Sequence, residues 1–261
     1  MREEIIAVLV LLAGIGAGLL LASSGGGEAR LPENTGNLPG HTELRSVLRS
    51  VVATENGGFG FEMWATIVDR DGEVRTVAFS GDARGDQWPG SRIISAQKAN
   101  TANDYSLPEL ALSTANLYSA VQPGNSLYGL PFSNPVDTDV AYAGPPEVYG
   151  TIEDPLIGHK VGGVNVFGGG LPLYAPDGRL LGALGLSGDT SCADHIKAWK
   201  VRHRLNLDNV PAGNSPTNDD NIVFDITEGR SESGWGHPEC STQATDVARQ
   251  LPQTHPTGPN P

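Results

Sequence analysis

The chain has 261 residues, 38% of them hydrophobic, and a formal net charge of −13 from 30 acidic and 17 basic residues. That length and apolar content suffice for one sizeable core without a second domain. An acidic surface with no basic run repels phosphate backbones, which excludes nucleic acid as a partner.

The chain opens "MREEIIAVLVLLAGIGAGLLLASSGGGEA". An uncharged apolar run from Ile5 to Ala22 follows Arg2 and ends in small residues, the layout of a secretory signal. Residues 1–24 are therefore expected to be a signal peptide or, uncleaved, an N-terminal anchor, since the run just reaches membrane-spanning length. The rest of the chain is expected to be periplasmic or secreted, or else anchored and facing outside the cytoplasm. Any membrane association would run through that uncleaved segment alone. Residues 25–40, rich in Gly, Ser, Pro and Asn, read as a linker.

In "TELRSVLRSVVATENGG" the residues Leu44, Val47, Leu48, Val51 and Val52 make one stripe of an amphipathic helix, with Thr42 as N-cap and Gly57-Gly58 as stop. "FEMWATIVDRDGEVRTVAFS" reads as a hairpin turning at Asp71-Gly72. Two helical stretches follow, "SRIISAQKANTANDYS" and "LPELALSTANLYSAV", divided near Pro108. Residues 122–160 are dominated by Gly, Pro, Asn and Ser and read as a long loop, of the kind that is functional or wraps a surface.

A second hairpin, "LPLY" and "LLGALGLSG" joined by "APDG", follows Gly168-Gly169-Gly170, which mark a bend or a close backbone approach. "DTSCADHIKAWKVRHRL" is a helix, with Ser191 and Asp194 at capping-box spacing. Residues 206–261 form a Pro-, Asn- and Gly-rich tail with one strand-like piece, "NIVFDI", and a closing "QLPQTHPTGPNP" expected to be disordered. Strands joined by hairpins predict an α+β fold, an antiparallel central sheet with helices packed on its faces, over residues 41–205.

Three blocks, "ATIVDRDGEVRTVAFSGD", "SAQKANTAN" and "GGVNVFGGGLPLYAPDGRLLGALGLSGDTSCADH", resemble the GlcG/HbpS-like haem-binding family. The resemblance spans roughly Thr42 to Leu205. It implies the GlcG/HbpS-like layered fold, frequent homo-oligomers, and binding of haem, another tetrapyrrole or iron. Two segments depart from the plainer members: the middle insertion and the tail after Leu205. Lys98 matches a basic position common in the family, where it could pair a propionate or a carboxylate.

Cys192 and His195 in "SGDTSCADH" are mirrored by His237 and Cys240 in "HPEC", which admits three chemistries. A Cys192 nucleophile activated by His195 lacks a third orienting group. A Cys2His2 site has workable spacing for zinc, although an oxidising compartment removes thiolates. A Cys192–Cys240 disulfide suits an exported chain with two cysteines and would pin the tail through a loop of roughly fifty residues, a contribution of about 4 kcal/mol. That pairing is the expectation, with the metal left unknown and no catalytic group assigned. Candidate haem ligands are then His195, His159 and His237, with Lys98 beside them. The expected function is an exported haem- or iron-binding protein. Its rivals are a small-molecule enzyme using residues 122–160 as a lid, and a cofactor-free oligomeric assembly module.

Overall fold

The stripe of Leu44, Leu48 and Val51 becomes the buried face of a helix, α1 (His41–Val52), in a computed structural model that describes residues 38–258. The helix starts one residue before the expected Thr42 cap, with Gly40 as N-cap. It also stops short of Gly57-Gly58, because Asn56 Nδ2 and Thr54 Oγ1 take the Val51 carbonyl at 3.0 and 2.8 Å.

The first hairpin is β1 (Trp64–Asp69) and β2 (Val74–Phe79), reversing through Gly72 at a φ of 75°. Next comes α2 (Gly90–Tyr105). Residues 107–121, expected as a second helix, form no α-helix. Ala111 N donates to Ala212 O of the tail at 2.8 Å, Leu112 N donates to Ser106 Oγ, and only two short 3₁₀ turns follow, Thr114–Leu117 and Ser119–Val121. Backbone bonds made to a distant partner have displaced the local i to i−4 pattern.

The 122–160 segment holds α3 (Leu130–Ser133), α4 (Thr138–Ala141) and a further 3₁₀ turn. Then come β3 (Gly170–Tyr174), β4 (Leu180–Ser187), α5 (Ser191–Arg204), a small hairpin of β5 (Ile226–Thr227) and β6 (Arg230–Ser231), and α6 (Thr242–Thr254). The cap of α5 is Thr190, whose Oγ1 accepts from Ala193 N, so the expected capping pair is shifted by one residue.

The sheet runs β2-β1-β4-β3, antiparallel throughout. All six residues of β1 are buried because helices cover both faces. Trp64 and Val68 join Val77, Ala183 and the α2 residues Ile93, Ala96 and Ala99 on one face. Ala65 and Ile67 join Leu171, Leu184, Leu186, α1, α5 and α6 on the other. The outer strands are partly covered: Val74 N donates to His159 O at 2.8 Å, and Tyr174 N to Leu207 O at 2.9 Å. Insertion and tail thus blunt edges that would otherwise be open to strand pairing.

The tail is ordered where disorder was expected: α6 runs through Leu251 and Pro252 and buries Ala244, Ala248 and Leu251 in the core. Pro252 has no N–H for the Ala248 carbonyl one turn back. Asn221 Nδ2 takes that carbonyl instead, at 2.9 Å, so the helix's missing bond becomes a dock for the tail. Residues 1–37, where the signal peptide and most of the linker were expected, lie outside the described residues. Among the described residues no helix is long and apolar enough to cross a membrane.

Candidate functional site

The chain threads Gly168-Gly169-Gly170 between α2 and α5. Gly169 sits at φ 118°, and a side chain there would press on Leu186 O, Asp194 and Lys98 Nζ. Gly170 pairs with Gly185 across β3 and β4, and both lie against the backbone of α2, so a Cβ at either would collide with it. The absent side chains let α2 sit close enough for Lys98 to cross the glycine thread. Its Nζ donates to Asp194 Oδ2 at 2.7 Å and to Leu186 O at 3.1 Å. Burial raises the pKa of Asp194, and the Lys98 charge opposes that rise. The other Asp194 oxygen accepts from Asp189 N. Asp189, of the "SGD" block, holds Lys197 at 2.8 Å and accepts from Phe59 N and Gly60 N, tying down the loop after α1.

His195 and His237 flank this crossing. His195 is wholly buried; its Nε2 lies 3.1 Å from Ile222 N and 3.2 Å from Asn221 Oδ1. Its Nδ1 has no partner among the described residues. Burial, helped by the Arg202 charge, lowers its pKa to about 3. His237 Nδ1 donates to Pro238 O at 2.8 Å, and its Nε2 accepts from Ser191 Oγ at 2.7 Å, while Ser191 Oγ accepts from Gly168 N at 2.7 Å. Burial lowers its pKa to about 4.

A serine bonded to a histidine has the form of a nucleophile with its base. Here a Ser191 lone pair is taken by the Gly168 amide, and a histidine with a pKa of about 4 is a poor base at neutral pH. The chain of bonds fastens the tail to the glycine thread. One residue along, Cys192 and Cys240 form a disulfide, which removes both the nucleophile and the Cys2His2 alternatives. Among the described residues no group of three or more His, Cys, Asp or Glu is placed to hold a metal ion.

Lys98, His195, His237 and the cysteine pair therefore meet around Gly168–Gly170. His159 does not: it is exposed at the opposite edge of the sheet, where its carbonyl accepts from Val74 N. Ser191, Asp194 and Asn221 complete the knot. Capping-box spacing pointed to the first two, and nothing in the local sequence marks Asn221.

Open space lies beside the knot. A cleft of about 890 Å³ runs between the end of α2, residues 117–127 and the β5–β6 hairpin. Its walls include Leu112, Leu117, Leu127, Tyr105, Trp235 and Arg230, and no Asp or Glu. The Tyr118 ring stands 5.0 Å from the His237 ring, and Ser119 Oγ donates to Gly236 O, joining cleft and knot. Two other clefts, of about 580 and 470 Å³, carry acidic residues: Asp82 and Glu147 in the first, Asp71 and Asp104 in the second. None of Lys98, His159, His195 and His237 lines the 890 Å³ cleft.

An antiparallel four-stranded sheet, helices on both faces and a glycine thread crossed by a buried ion pair define a layered α+β domain of the GlcG/HbpS-like kind. The family model described as haem degrading protein HbpS-like matches residues 43–201, and the chain belongs to that family. The resemblance read from the sequence and the fold class are both borne out.

Two solved structures are similar to the chain. Klebsiella pneumoniae protein ORFY is 24% identical, covering 63% of this chain and 87% of its own, with a TM-score of 0.42. The PduOC:heme complex is 23% identical, covering 64% of this chain and 93% of its own, with a TM-score of 0.43. No curated protein matches the chain.

Proposed function

We propose that the protein is an exported tetrapyrrole-binding member of the HbpS-like family. Family membership supports the ligand class, and one observation carries the reading: the 890 Å³ cleft, apolar along much of its wall and free of carboxylates in a chain with 30 acidic residues. Its volume lies within the range of about 300–1,000 Å³ usual for small-molecule sites. The residues fit the macrocycle of haem. The walls contain no imidazole or thiolate for its iron: His195 and His237 do not line the cleft, and His237 bonds both ring nitrogens to Ser191 and Pro238. When bound, haem would supply redox-active iron; this chain's residues would bind and shield its ring.

Export is supported by the apolar run from Ile5 to Ala22 and by the disulfide, a bond that persists in oxidising compartments. Residues 122–160 favour a fixed wall over a moving lid. Arg92 makes a bidentate ion pair with Asp154 deep in the core, stacks 3.7 Å over the Tyr149 ring and donates to Ala141 O. Homo-oligomerisation belongs to the same proposal and is read by light scattering.

Titrating the purified protein with hemin tests the binding. A saturable, shifted Soret band at low micromolar protein is expected, and hemin that behaves as it does in buffer alone refutes the reading.

A further inference from the structure

We infer that the cleft recognises the porphyrin ring and its carboxylates and not the iron, so that haem and metal-free protoporphyrin IX bind alike. The inference rests on the tetrapyrrole reading above and assigns the residues that would carry it. Leu127 offers aliphatic surface, and Tyr105 and Trp235 offer rings, over a floor backed by the buried Leu112 and Leu117. Flat apolar area of this kind suits a planar macrocycle and gains from its burial.

The charge of the cleft selects further. Arg230 is exposed on the β5–β6 hairpin, lines the cleft, and has no ion-pair partner among the described residues. The nearby Asp225 is already engaged, accepting from Ser231 Oγ and from Ser233 N, both at 2.7 Å, and this holds the hairpin that presents Arg230. A guanidinium free to pair at the border of a carboxylate-free cleft is suited to a ligand carboxylate, which it can hold through two parallel hydrogen bonds. Elsewhere the surface of this chain, at −13, repels a dianionic ligand.

Iron, by contrast, finds no soft donor. The walls hold no His, Cys or Met. The Tyr105 phenol is kept protonated, because burial and the Asp104 charge both raise its pKa. Arg230 and Trp235 lie beyond residue 201, where the family match ends, so the tail would bring its own recognition to the shared fold.

The test uses the full chain, hemin and protoporphyrin IX, with tryptophan quenching and porphyrin absorbance as readouts. The wild-type protein is expected to bind both rings with Kd values within about threefold. Arg230→Glu should raise both by about tenfold or more, equivalent to about 1.4 kcal/mol. Arg230→Lys, which keeps the charge but loses the two parallel hydrogen bonds, should fall between the wild type and Arg230→Glu and controls for folding on an exposed hairpin. Hemin binding with protoporphyrin more than about tenfold weaker, or Arg230→Glu without effect on either ring, overturns the inference while leaving tetrapyrrole binding intact. Failure of the wild type to bind either ring overturns both.

Discussion

Acid should unfold this protein through two histidines that it keeps neutral. His195 and His237 have pKa values of about 3 and about 4 in the folded chain, against 6.5 for the free side chain, chiefly because both are buried. Below 6.5 the unfolded chain takes up two protons that the folded chain refuses. Stability from this source is therefore full above that value and falls as the pH drops towards 4.

Each histidine contributes about 1.4 kcal/mol per pH unit inside the window, so the pair removes about 4 kcal/mol between pH 7 and pH 5. Against a typical total of about 5–15 kcal/mol, that is a large share. Asp194 and Asp208 act in the opposite direction, because burial raises their pKa and the folded chain takes up their protons first. Urea unfolding at the two pH values, compared between the wild type and a His195→Gln, His237→Gln double variant, isolates the histidines. Glutamine can still accept from Ile222 N and Ser191. The wild type should lose about 4 kcal/mol more than the variant on going to pH 5. Parallel losses in the two proteins would refute the reasoning.

Two further predictions concern the added segments. Replacing Cys192 and Cys240 by serine opens a loop with a sequence separation of 48, and should lower the unfolding free energy by about 4 kcal/mol. Thiol titration of the unreduced wild type should find none, and two titratable thiols would overturn the assignment. Asp154→Asn leaves the buried Arg92 guanidinium without its counter-charge, a change that costs about 3 kcal/mol or more. Limited proteolysis should then cut within residues 122–160 faster than in the wild type, and unchanged cleavage would mean that the ion pair does not hold the insertion.

How much of this was legible in the sequence depends on whether a signal was local. The α1 stripe and the Asp71-Gly72 turn are set by neighbours a few residues apart, and they appear as read. Residues 107–121 carry a helix-like pattern yet form no α-helix, because Ala111 bonds to Ala212, a hundred residues away. Pro252 looked like part of a disordered end. Its missing N–H instead frees the carbonyl that Asn221 binds, a pairing visible only once the tail is folded back.

The site divides in the same way. By itself the sequence determined the family and the α+β class, since glycine runs and turn residues impose their constraints wherever the chain goes, and it made the disulfide the expectation among three chemistries that only the structure reduced to one. It also marked Lys98, His195 and His237 as chemically able side chains. Only the tertiary structure decided their surroundings: an ion pair across the glycine thread for Lys98, and buried, neutral rings bonded to the tail for the two histidines. The cleft is likewise a tertiary product, since Tyr105, Leu117 and Trp235 share a wall only because the tail packs against the insertion. Burial and pairing are set by whatever lies across the gap, and no local pattern encodes that.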